Sequence, residues 1–299
     1  MDPLLSRLSR GEPVLGDGAW GTMLQERGLA PGDPPETVCL SRPRLLTEIA
    51  MAYFAAGAEV ITTNTFGASE VRLSRHGLSG KCAEVCRQAV AAIREGVGRR
   101  ALVSGSVGPL GELLAPLGDL SLDVARTAFE RQADALATAG VDLVCVETMS
   151  DLAEACLAVE AARRKAPGLP VVATMTFEET PRGFFTVMGV PVAKAARRLG
   201  EAGADVLGAN CGTGSAVAAA IARAFREATA LPLSARPNAG LPVSHDGRTV
   251  YPEAPRRMAA RVPDLLAAGV TLLGGCCGTT PAHVAAMRDA IDAARPRPA

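Results

Sequence analysis

Ala202-Gly203-Ala204-Asp205-Val206-Leu207-Gly208-Ala209-Asn210-Cys211 closes a helix, runs a strand and ends on a thiol. The glycine falls where a helix stops, because the left-handed backbone of a helix C-terminus costs least at glycine. The residues after it form a continuous apolar run, the pattern of a parallel strand covered on both faces. The opening phrase recurs at Ala56-Gly57-Ala58, Ala139-Gly140-Val141 and Ala268-Gly269-Val270. Each recurrence marks another passage from helix to strand.

Strands are expected at 14–17, 59–64, 101–106, 142–148, 170–176, 205–211, 232–238 and 270–276. Helical patterns fill 44–56, 69–96, 121–139, 151–165, 192–202, 215–228, 255–268 and 281–294. Eight alternations without a dividing linker suit a closed barrel, which typically takes about 250 residues, better than an open doubly wound sheet. The fold class is therefore read as α/β, a (β/α)8 TIM barrel in one domain over residues 1–299, with its core at 12–294.

Lys plus Arg number 31 and Asp plus Glu number 31, a balance that argues against nucleic acid or an anionic membrane surface as the main partner. Residues 1–10 hold no apolar stretch of signal-peptide length. The uncharged run around 265–287 is broken by Gly274, Gly275, Gly278 and Pro281, so it reads as strand and loop rather than a membrane helix. A cytoplasmic protein is expected, with its eight cysteines mostly reduced.

The active site of such a barrel lies at the C-terminal ends of its strands. Those ends carry Asp17, Asn64, Ser106, Glu147, Cys211, Asn238 and the pair Cys276-Cys277. Cys211 ends the sixth strand and the pair ends the eighth, so three sulfurs can meet around one ion. Adjacent strand residues face opposite ways, so the chain must turn at Cys276-Cys277 for both to bind. Three thiolates with one open position make a catalytic zinc pattern; small buried core cysteines are the competing explanation. Cys39 in a loop, Cys82 and Cys86 on one helix face, Cys145 and Cys156 read as packing residues. His283 stands in the first turn of the last helix, and His76 and His245 read as surface residues. The stretch Asp17-Gly18-Ala19-Trp20-Gly21-Thr22 offers backbone N–H groups to a carboxylate. Glu147 suits an ammonium partner, or else a structural ion pair. A rival use of the loop 275–280 is to cradle phosphate before the last helix.

These phrases, with Thr62–Ser69 (Thr62-Thr63-Asn64-Thr65-Phe66-Gly67-Ala68-Ser69), Gly105-Ser106-Val107-Gly108-Pro109, Glu147-Thr148-Met149-Ser150-Asp151, Asn210-Cys211-Gly212, Pro237-Asn238-Ala239-Gly240 and Gly274-Gly275-Cys276-Cys277-Gly278-Thr279-Thr280-Pro281, resemble the homocysteine S-methyltransferase family over residues 12–290. The resemblance implies zinc on Cys211, Cys276 and Cys277, with Asn238 as a fourth ligand that homocysteine displaces. It implies that Asp17 and Glu147 contact the substrate amino group and that the backbone at Gly21 and Thr22 holds its carboxylate. Asn64 and Ser106 are expected to line the same site. Within the family the likeness is to the N-terminal homocysteine module of cobalamin-dependent methionine synthase, on Thr63–Gly67 (Thr63-Asn64-Thr65-Phe66-Gly67) and Gly247-Arg248-Thr249-Val250-Tyr251-Pro252. Betaine-using relatives carry a tyrosine where this chain has Gly67.

The expected activity is zinc-dependent methyl transfer to the homocysteine thiol, giving methionine. The donor is a methylcorrinoid such as methylcobalamin, brought by another module or protein, since the chain has no Asp-x-His-x-x-Gly corrinoid motif. The alternatives are S-methylmethionine or S-adenosylmethionine as donor, and a non-catalytic module that binds zinc and homocysteine.

Overall fold

The structure, a computed structural model, describes residues 2–212, 214–245 and 248–294, with only the backbone of His245 and Arg248. Gly247 of the Gly247–Pro252 phrase and the side chain of His245 thus lie outside the described residues.

Eight parallel strands form the barrel: β1 (Val14–Leu15), β2 (Val60–Thr62), β3 (Leu102–Val107), β4 (Leu143–Met149), β5 (Val171–Met175), β6 (Val206–Cys211), β7 (Leu233–Pro237) and β8 (Val270–Leu273). Each pairs with the next, and β8 pairs with β1 through Val14 to Leu272 and Leu15 to Leu273. The ring closes between β1 and β2, where Glu59 N donates to Leu15 O at 2.7 Å and Asp17 N to Val60 O at 3.0 Å. Helices between the strands bury their apolar faces against the barrel wall, with Tyr53, Phe129, Phe177 and Phe225 the largest side chains fully enclosed.

The four glycines of the recurring phrase all stand at positive φ: Gly57 at 97°, Gly140 at 89°, Gly203 at 105° and Gly269 at 85°. Three of the phrases continue into an acid two residues on, at Glu59, Asp142 and Asp205. Each acid accepts from the neighbouring strand's backbone, Leu15 N at 3.4 Å, Val103 N at 2.6 Å and Val171 N at 2.8 Å. Each also pairs with arginine: Arg7 and Arg288 on Glu59, Arg94 on Asp142 and Arg163 on Asp205. At the fourth phrase Thr271 stands in the acid's place, and its buried hydroxyl meets no partner among the described residues.

The structure corrects several element bounds. The expected helix 69–96 is two, Glu70–Ser74 and Cys82–Val97. Gly77 and Gly80 between them, at φ 70° and 75°, turn the chain where a helix cannot continue. The expected helix 255–268 divides into Pro255–Ala259 and Val262–Ala267, with Pro263 in the first turn of the second. Cys39 lies in a short helix, Thr37–Ser41, rather than a loop. Two hairpins stand above the barrel mouth, Glu178–Thr180 with Gly183–Phe185 and Val243–His245 with Arg248–Val250. The N-terminal helix Pro3–Ser9 closes the opposite end, packing Leu4 and Leu8 on Val14, Val60, Leu143, Val172, Val206 and Leu272. Among the described residues no helix is long and apolar enough to cross a membrane.

Candidate metal centre and substrate cavity

β8 stops at Leu273, three residues short of the expected end, and the chain turns through Cys276-Cys277. That early stop meets the condition for both sulfurs to face one point. Across the mouth, Cys211 closes β6 at φ 62°, and Thr148 in β4 stands at φ 61°. These are the positive-φ residues other than glycine among the described ones, and for a β-branched threonine the conformation costs about 1–3 kcal/mol. Strain of this kind collects where side chains must be aimed. The three sulfurs lie within 4.8 Å of one another, with Cys211 Sγ 4.0 Å from Cys277 Sγ. Metal–sulfur bonds near 2.3 Å in a tetrahedron space the sulfurs by about 3.8 Å.

Asn238 lies beside the sulfurs, its side chain within hydrogen-bonding reach of Cys211. Its Nδ2 donates to Gly212 O at 3.0 Å, which leaves Oδ1 buried and without a hydrogen-bond partner among the described residues. The backbone fixes this amide beside the thiols, since Cys276 N donates to Pro237 O at 2.9 Å and Ala239 N to Cys277 O at 3.0 Å. An unpartnered buried oxygen normally costs about 1–3 kcal/mol. Three thiols and that oxygen form a donor set suited to zinc. Hydrogen bonds from Cys276, then from Cys277, push the Cys211 thiol down, so the three thiols ionise as one coupled group. Its bond to Cys211 is the largest cause pushing Cys277 up to about 11.

The other histidine and cysteine expectations separate cleanly. His283 is engaged elsewhere, with Nδ1 accepting from Thr280 N at 3.1 Å and Nε2 donating to Glu253 O at 2.8 Å. Cys39, Cys82, Cys86, Cys145 and Cys156 are buried away from this cluster. His76 is exposed as expected, yet it lines the rim of the cavity that opens above the sulfurs.

That cavity holds about 510 Å³ and brings together Gly21, Thr22, Asn64, Ser106, Glu147 and the three cysteines. Gly21 and Thr22 begin the helix Gly21–Gln25, whose first N–H groups have no intrahelical acceptor. Asn64 is set by its Nδ2 donating to Pro35 O at 2.7 Å and by Cys39 Sγ donating to Asn64 O at 3.3 Å. Glu147 is nearly enclosed and accepts from Ser106 Oγ at 2.5 Å. Burial pushes its carboxyl above the ordinary range, and Arg236 with the Ser106 hydroxyl pulls it partway back.

Asp17 departs from expectation. It is fully buried, and its two oxygens accept from Trp20 Nε1 at 2.8 Å, Thr62 N at 2.7 Å, Thr62 Oγ1 at 2.8 Å and an Arg236 terminal nitrogen at 2.7 Å. Four donors fill the lone-pair sites of a carboxylate. In this geometry Asp17 holds Arg236 rather than a ligand. Arg236 itself escaped the sequence reading. It lies on β7, buried, between Asp17 and Glu147, whose Oε2 stands 3.7 Å from Arg236 Nη1. The signal available was a single charged side chain inside the apolar run 232–238. Tyr53 was missed too. Its buried hydroxyl reaches Ala19 O at 2.7 Å and Thr279 O at 3.0 Å, tying the Asp17 loop to the cysteine loop. Gly18 serves this packing, because a Cβ there would meet Thr279 and Tyr53 within 3.0 Å.

The sequence profile of the homocysteine S-methyltransferase family matches residues 14–291. The methionine synthase of Mycobacterium tuberculosis is 33% identical over 93% of this chain, which spans about a quarter (24%) of that protein's length. Betaine–homocysteine S-methyltransferase 1 of Mus musculus is 30% identical over 96% of this chain and 74% of its own. The crystal structure of the homocysteine methyltransferase MmuM from Escherichia coli, metallated form, superposes with a TM-score of 0.80 at 26% identity, covering 96% of this chain and 99% of that one. The chain belongs to the homocysteine S-methyltransferase family.

Proposed function

We propose that this chain transfers a methyl group to the thiol of homocysteine, forming methionine, at a zinc ion held by Cys211, Cys276 and Cys277. The observation that carries the reading is the convergence of three sulfurs in an open cavity, beside a buried Asn238 oxygen that has no hydrogen-bond partner among the described residues. Zinc bound there supplies the charge that ionises an incoming thiol, whose free pKa is roughly 8.5. Asn238 would complete the donor set around such an ion, its oxygen having no hydrogen-bond partner among the described residues. Glu147 takes the ammonium group, and the N–H groups of Gly21 and Thr22 take the carboxylate. Asp17 acts through Arg236, holding Glu147 in place. Asn64 and Ser106 shape the floor between these groups. No base in the cavity is required to remove the thiol proton during transfer.

We infer a methylcorrinoid donor, presented to the mouth by another module or protein, from the likeness to methionine synthase. A stand-alone enzyme using S-methylmethionine or S-adenosylmethionine is the second reading, favoured by the match over nearly all of MmuM. The test is methionine formation from homocysteine, assayed separately with methylcobalamin, S-methylmethionine and S-adenosylmethionine, each beside a zinc-stripped control. Zinc-dependent product identifies the donor. Zinc and homocysteine bound without product from any donor would leave a binding module and sink the catalytic reading.

A further inference from the structure

Asn210, next to last in β6, is buried and makes four side-chain hydrogen bonds. Its Oδ1 accepts from Thr148 N at 2.8 Å and from Thr174 Oγ1 at 2.7 Å. Thr148 N is an obligate donor, so the amide can stand only with its oxygen on that side. Both N–H groups therefore point the other way. One donates to Thr148 Oγ1 at 2.7 Å and the other to Cys276 Sγ at 3.7 Å.

Both ends of this bracket matter to the site. Thr148 follows Glu147 and sits at φ 61°, a strained conformation that two bonds from one amide hold. At the other end the Cys276 sulfur accepts an N–H. Cys211 has the same kind of help from the Gly212 N–H, and Cys277 from the Tyr251 hydroxyl. Hydrogen bonds to metal-bound sulfur orient the ligand and draw charge from it, and losing such a partner typically costs about 10–100-fold in metal affinity.

We propose that Asn210 is a positioning residue of the metal centre, donating to the Cys276 sulfur while holding the β4 tip from which Glu147 reaches the substrate. One side chain thereby sets the distance between the metal and the ammonium site. The inference rests on the zinc reading above and concerns residues outside the donor set itself.

The test uses the full chain loaded with cobalt(II), whose sulfur-to-metal absorption reports the charge on the thiolates. Asn210→Asp keeps the shape but removes the N–H. It is expected to move that absorption to longer wavelength and to speed metal release to a chelator by on the order of tenfold. Thr174→Val removes one bond to the amide oxygen and leaves the N–H in place, so both readouts should stay where they are. Asn210→Ser carries the same readouts if the aspartate variant does not fold. Unchanged absorption and release on loss of the amide would overturn the proposal, as would an equal change in Thr174→Val. Absence of sulfur-to-cobalt absorption in the unaltered chain would instead overturn the metal reading, and this inference with it.

Discussion

Replacing Arg236 with methionine keeps the length of the side chain and removes the cation between Asp17 and Glu147. Arg236 and Asp17 are both buried, and their contact is 2.7 Å. Removing one partner of such a pair typically costs about 3–5 kcal/mol, because a charge is left without its counterion. The two carboxylates do not suffer equally. Asp17 keeps Trp20 Nε1, Thr62 N and Thr62 Oγ1, whereas Glu147 keeps Ser106 Oγ. Glu147, already raised by burial, is the group that rises further. A carboxyl whose folded-state pKa exceeds its unfolded value binds more protons when folded, so stability falls as pH rises. The deficit of the variant should accordingly be largest near pH 8 and shrink as pH falls through the raised Glu147 value. At about 2 °C per kcal/mol for a domain this large, the loss near pH 8 is about 6–10 °C in Tm. Urea unfolding is the assay, followed by circular dichroism and by the emission of Trp20, the chain's single tryptophan, whose indole donates to Asp17. An unchanged m-value keeps the comparison two-state. A deficit under about 1 kcal/mol, or one that widens toward acid, would refute the charge assignment.

The same geometry sets three further outcomes. Cys211→Ala should abolish metal retention and methionine formation together, read by metal analysis of the purified protein and by product assay; normal turnover with bound zinc would remove Cys211 from the donor set. Glu147→Gln should raise the homocysteine KM about ten- to a hundredfold, as loss of a charged hydrogen bond worth about 1.5–3 kcal/mol implies, with metal content unchanged. An unaltered KM would return Glu147 to a purely structural role. Glu154 is buried, accepts from Leu110 N at 2.7 Å and is pushed by that burial up to about 7. Its ionisation therefore costs stability as pH rises from about 4.5 to 7, and Glu154→Gln, which still accepts from Leu110, should flatten that part of the stability–pH curve. An identical slope in variant and parent would count against it.

The features legible in the sequence were those whose cause is local. A glycine at a helix end needs positive φ whatever surrounds it, and all four such glycines have it. A pair of adjacent cysteines can serve one ion only if the strand stops, and β8 stops at Leu273. The break at Gly77 and Gly80 was equally local. It was hidden because apolar residues recur at helical spacing on both sides of it. Arg236 was hidden for another reason. Its partner Asp17 is 219 residues away, and nothing in Leu233-Ser234-Ala235-Arg236-Pro237 says which face of the strand the guanidinium takes. Asp17 was misjudged through the same gap, since a carboxylate at a strand tip is open to a ligand only if no cation already fills it.

The two charged groups of the mouth explain why the tips are built from strained and amide residues. With both carboxyls ionised, Asp17, Glu147 and Arg236 would together carry one net negative charge, and three thiolates around a divalent ion would carry another. Two such anions at one barrel mouth would repel unless fixed donors faced each of them. Beyond Arg236, a further free ammonium or guanidinium beside the thiols would compete with a bound metal and with the substrate's own amino group. Neutral donors avoid that competition. The chain supplies them from Ser106 and Asn210 and from the Gly212 N–H. The positive φ of Thr148 and Cys211 turns the ends of β4 and β6 beside the Asn210 amide and the Gly212 N–H. On the proposed function, a zwitterionic thiol would meet an ordered field, its ammonium drawn to Glu147 and its sulfur to the metal, while Arg236 keeps Asp17 engaged.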